Sequence, residues 1–107
     1  MELHNGRRRQ QDPALYIGVC FTDDIEIAEG YGEIVTTIEM PKGLEVLEVE
    51  VSREDIDNND WPGDTEEGCA AFAADGVDVV RFEDMDENGV GHTTWRLVSQ
   101  RAVDAAR

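Results

Sequence analysis

From Ala14 to Phe21 the chain is largely apolar, with Tyr16, Ile17, Val19 and Phe21, and the stretch is short enough to be a strand. At Thr22 the pattern changes. Thr22 or Asp23 suits a helix cap, Asp24 and Glu26 favour the positive end of the helix dipole, and Ile25, Ala28 and Tyr31 share one face before Gly30 or Gly32 stops the helix. Glu33 to Met40 alternates as a strand does, with Ile34, Thr36 and Ile38 on one face and Val35 and Thr37 on the other. A turn at Pro41-Lys42-Gly43 leads to a further strand over Leu44 to Val51, whose phase slips at Val46-Leu47 and predicts a bulge.

Residues 52–64 set Glu54, Asp55, Asp57, Asp60 and Asp64 against Arg53 alone and include Trp61-Pro62-Gly63. That is an exposed acidic loop with room for one helical turn. Thr65 to Ala74 reads as a helix with Glu66 and Glu67 in its first turn and Gly76 as its stop. Val77 to Phe82 is a strongly apolar strand, Asp86-Glu87-Asn88-Gly89 a hairpin turn, and His92 to Ser99 the returning strand. Residues 1–12 read as a flexible lead-in whose Arg7-Arg8-Arg9 is the chain's one basic cluster. The pattern predicts a single α+β domain over 1–107, with a mainly antiparallel sheet of about five strands and two short helices.

Charge narrows the function. Among 107 residues, 25 Asp and Glu stand against 9 Lys and Arg, a net charge of −16. Direct electrostatic binding of DNA or RNA is excluded, because that affinity comes from neutralising phosphates. An anionic membrane repels the chain for the same reason, no apolar run spans a bilayer, and the start is no secretory signal, so a cytoplasmic protein is expected. Lys42 is the single lysine. Acid-rich, lysine-poor composition suits hydration in high salt and suits a GC-rich coding genome, and both origins stay open.

Cys20 and Cys69 form no CxxC and sit beside apolar neighbours, which favours buried free thiols over a disulfide. His4 and His92 complete no ligand spacing with them, so no metal is expected. Neither a phosphate-binding loop, nor GxGxxG, HExxH or a Ser-His-Asp arrangement can be drawn from the chain. Two constellations remain. One is Phe21-Thr22-Asp23-Asp24 leading into the helix that carries Tyr31; the other is Phe82-Glu83-Asp84 with the hairpin and His92-Thr93-Thr94-Trp95. Taken alone they are a helix cap and an acidic hairpin.

Their order says more. Gly18-Val19-Cys20-Phe21-Thr22-Asp23-Asp24, then Ile27-Ala28 and Tyr31-Gly32, resembles the Thr-Asp segment of small ADP-ribosyltransferase-like domains. Leu47 to Val49 and Gly76-Val77-Asp78-Val79-Val80 are similar to later strands of those domains. Phe82-Glu83-Asp84, the turn and His92-Thr93-Thr94-Trp95 most resemble a phage anti-CRISPR ADP-ribosyltransferase. The resemblance covers residues 14–104. It implies that fold, NAD as a substrate with no metal, and transfer of ADP-ribose to a host protein or nucleic acid in the host cytoplasm.

The resemblance also implies roles. Asp84 is the carboxylate, with Glu83 as its adjacent substitute, and Thr22 and Tyr31 line the nicotinamide pocket. His4, in Leu3-His4-Asn5-Gly6, stands for the family's ribose contact. Arg8, within Arg7-Arg8-Arg9, is placed to cradle the NAD pyrophosphate against the chain's negative charge. Composition supports a second reading: a non-catalytic acidic decoy whose carboxylates mimic nucleic acid and occupy the basic groove of a host defence protein.

Overall fold

The first strand lies where the sequence offers least apolar pattern. The computed structural model describes residues 1–8, 15–58, 61–85, 89 and 91–107. Within it β1 (Glu2–Arg7), β2 (Cys20–Thr22), β3 (Ile34–Glu39), β4 (Val46–Glu48), β5 (Val79–Met85) and β6 (Gly91–Leu97) form one sheet in the order β3-β1-β2-β6-β5-β4. Residues 2–7 are therefore no lead-in. Leu3 is fully buried, and β1 is paired on both sides, so backbone hydrogen bonding rather than apolar content holds it.

The sheet is mixed, which corrects the expectation of a mainly antiparallel one. Neighbours from β3 through to β5 run antiparallel, whereas β4 joins β5 in parallel, with Val46 opposite Val79. The reason is the segment between them. Parallel neighbours need a crossover, and α2 (Arg53–Asp57), a 3-10 turn (Pro62–Asp64) and α3 (Glu66–Ala74) supply it. The remaining helices are α1 (Ile25–Tyr31) and α4 (Gln100–Ala106).

Strand alternation divides the core in two. Leu3, Phe21, Val79, Trp95 and Leu97 pack on one face with Ala102 and Val103 of α4. Val80 and Phe82 pack on the other with Trp61 and with Cys69 of α3. Trp61 and Phe82 meet edge to face at 4.5 Å. Trp61 is thus buried, not part of an exposed acidic loop; Asp64, too, is mostly enclosed, in an ion pair with Arg96.

Other boundaries move for identifiable reasons. The apolar run before Phe21 shortens to β2, leaving Tyr16 and Ile17 exposed. Thr22 belongs to that strand, and the cap of α1 is Asp24, whose carboxylate accepts the Glu26 N–H at 2.9 Å. The bulge at Val46-Leu47 is absent, since Val46, Leu47 and Glu48 pair in unbroken register with β5. Both cysteines are free, Cys69 buried and Cys20 half-buried. Residues 86–88 of the hairpin, like Arg9, lie outside the described residues.

One buried carboxylate ties three elements together. Asp78, just before β5, accepts the Glu45 N–H at 2.9 Å and the Ser99 hydroxyl at 2.7 Å, and faces Arg101 at 3.4 Å. The Ser99 oxygen in turn accepts the Ala102 N–H and caps α4. Burial by itself would raise the Asp78 carboxyl, but the Glu45 N–H, the Ser99 hydroxyl and Arg101 together hold it below its ordinary value. A depressed carboxylate stabilises the fold above its unfolded value, about 3.9, and that contribution disappears as pH falls through the lower folded value. Asp78→Asn is accordingly expected to lower stability by about 1–3 kcal/mol at pH 7. Urea unfolding should show the two proteins converging as the pH falls through the lowered value of the folded Asp78 carboxyl; a gap that ignores pH would contradict the role of the charge.

Candidate functional site

The site begins with how closely α1 lies on β1. A Cβ on Gly6 would overlap the Ala28 carbonyl, and one on Gly32 would overlap the backbone of Arg7. Glycine at both positions lets the helix rest directly on the strand. Between α1 and the sheet a cavity of about 300 Å³ remains open.

Its residues come from strands that are neighbours in space and distant in sequence. His4 on β1 is the cross-strand partner of Thr22 on β2, and Thr22 is the partner of Thr94 on β6. Two residues from Thr94 along the same face, His92 stands opposite Asp84 on β5. Tyr31 closes the α1 side. All six line the cavity, together with Cys20 at its floor.

Hydrogen bonds fix these side chains. His4 Nδ1 meets the Thr37 hydroxyl at 2.8 Å, so a ligand would meet its Nε2. Tyr31 Oη lies 3.2 Å from His92 Nε2, and His92 Nδ1 lies 3.2 Å from the Thr94 hydroxyl. Thr22 and Thr94 are buried, and the Thr22 oxygen accepts the Asp24 N–H. Beneath them Arg96 donates through Nε to Cys20 Sγ at 3.0 Å, and donates as well to Asp64 and to the Gly63 carbonyl. Burial pushes the Cys20 thiol above its ordinary value against the pull of Arg96, so it is a protonated floor group at neutral pH.

No family model, curated protein or solved structure matches this chain.

The structure brings together four of the residues singled out in the sequence: His4, Thr22, Tyr31 and Asp84. It separates the other two. Glu83 is the residue next to Asp84 on β5 and points to the opposite face, where it accepts the Thr93 hydroxyl at 2.7 Å. Strand alternation turns it away from the cavity that Asp84 lines. Arg8 is exposed beyond the end of β1 and is not among the cavity's lining residues.

The sequence assigns His92 no site role, although it lies in the His92-Thr93-Thr94-Trp95 constellation. The predicted hairpin brings the two strands together, but counting outward from a turn at 86–89 sets His92 opposite Glu83; the register is one residue different and places His92 opposite Asp84. Both of the chain's 2 histidines line this cavity. Asp84 is the one carboxylate residue lining it, among the described residues, so the cavity is far less acidic than the chain as a whole. Among the described residues no group of three His, Cys, Asp or Glu is placed to hold a metal ion. No helix among them is long and apolar enough to cross a membrane.

Chemically, the cavity offers a carboxylate for a developing cation, the His4 Nε2 edge for a hydroxyl group, and an aromatic ring beside buried hydroxyls for a flat amide.

Proposed function

We propose that this protein is a phage-encoded, NAD-dependent ADP-ribosyltransferase that modifies a host protein or nucleic acid. One observation carries the reading. His4, Thr22, Tyr31 and Asp84, taken from four separate stretches of the sequence, line a single cavity. Nothing about their spacing in the chain requires that.

The chemistry is a displacement at the ribose carbon that bears nicotinamide. The bond to the ring nitrogen breaks, its electron pair leaves with neutral nicotinamide, and an acceptor N–H or O–H supplies the new bond and releases a proton. Asp84 stabilises the oxocarbenium-like state electrostatically or takes the acceptor's proton. Tyr31 and Thr22 hold the nicotinamide, and His4 Nε2 meets a ribose hydroxyl. With Asp84 as the single carboxylate residue among the described residues lining the cavity, the pyrophosphate escapes most of the repulsion that the net charge implies.

The test is turnover. Purified protein incubated with NAD labelled in the adenylate, with bacterial lysate as acceptor source, is expected to release nicotinamide and label a macromolecule. Absence of both products would remove the reading.

A further inference from the structure

α1 lies directly on β1, yet its last residue reaches across the cavity to β6. That reach is made by one side chain. Tyr31 Oη sits 3.2 Å from His92 Nε2, and the two rings meet edge to face with centroids 6.1 Å apart. The other nitrogen of His92 is engaged by the Thr94 hydroxyl at 3.2 Å, which fixes the imidazole on its own strand. His92 is therefore held at both ends. Directly opposite it on β5 stands Asp84, so the Tyr31 ring and the Asp84 carboxylate are set against each other through the same residue.

We infer that His92 is a positioning residue, which fixes the Tyr31 ring across the cavity from Asp84 and so orders the subsite for the planar, amide-bearing ring of the dinucleotide. The inference rests on the function proposed above. His92 acts through Tyr31, not on the reacting atoms. Tyr31 is 37% exposed and sits at the end of a short helix, where packing restrains a side chain less than in a helix interior. The bond to His92 adds a restraint on the ring before the ligand arrives.

The split between KM and kcat distinguishes this from a structural role. For His92→Ala, KM for NAD is expected to rise about five- to tenfold, the equivalent of one hydrogen bond, with kcat within about twofold of wild type. His92→Gln keeps a polar group that can reach the Tyr31 hydroxyl and should recover most of the affinity. Tyr31→Phe should raise KM by a similar factor. His92→Ala added to Tyr31→Phe should then cost little more, because the two changes remove the same contact.

Additive effects on KM, or a loss in His92→Ala confined to kcat, would overturn the inference while leaving the transferase standing. A His92→Ala protein with wild-type kinetics would overturn it as well. A wild type that neither binds nor turns over NAD overturns the function itself, and with it the inference, and is seen before any variant is made.

Discussion

Replacing Asp84 by Asn is expected to leave the fold intact and to lower ADP-ribose transfer by about 10²- to 10³-fold, the cost of removing one preorganised charge from a reacting centre. The side chain keeps its shape and its place opposite His92, so β5 and β6 should pair as before. What changes is the charge at the one carboxylate residue among the described residues lining the cavity. NAD affinity should move little, because a charge that acts mainly on the transition state appears in kcat. Glu83→Gln is the matched control. It removes the same charge one residue away, on the opposite face, and should leave transfer within about twofold of wild type. Equal losses in the two variants would mean that bulk acidity matters and the cavity does not. Were the protein an acidic decoy, neither change would shift partner affinity by more than about 1 kcal/mol.

The largest effect on stability is expected at Gly6. A side chain there meets the Ala28 carbonyl, which is backbone and belongs to a helix seated on β1. Gly6→Val must lift α1 from the sheet or distort the strand. Either cost should reach about 3 kcal/mol or more, in the range of severe overpacking. Because α1 carries Tyr31 and forms one wall of the cavity, NAD binding should be lost with it. Gly30→Ala is the contrast. It lies in the same helix with open space around its missing Cβ, and should be neutral or stabilising by up to about 1 kcal/mol. Thermal unfolding of both variants checks the pair, and equal melting temperatures would show that the contact does not hold α1.

What the sequence discloses is governed by how locally each element is determined. The helix over Glu66–Ala74 is legible because Thr65, its first-turn acids and its alanine body are all local signals. The hairpin strands β5 and β6 are legible from alternation and the turn residues between them. β1 is not, because Leu3 is its single strongly apolar residue and its pairing with β2 and β3 is made by backbone. α4 is missed because Gln100–Ala106 is short and rich in alanine, and its buried Ala102 and Val103 give too little periodic contrast. β4 lies within the strand expected over Leu44 to Val51, and only its parallel direction escapes, because that direction depends on the crossover through α3, which its own residues do not encode.

The cavity follows the same division. His4, Thr22, Tyr31 and Asp84 could be singled out only from the order of motifs, because their proximity depends on β1, the strand that hydropathy conceals. Glu83 shows the limit of reading neighbours as equivalent, since one step along a strand reverses the face. The pair Tyr31 and His92 joins a helix end to a strand across 61 positions, and no local pattern links them.

Amide chemical shifts of the labelled protein, followed while NAD is added at low and at high salt, test the central assignment most directly. The expected result is a saturable set of shifts confined to the cavity walls, around His4, Thr22, Tyr31, Asp84 and His92, that persists at both salt concentrations. No shifts at millimolar NAD in either salt would contradict it, and the acidic surface would then become the place to look for function.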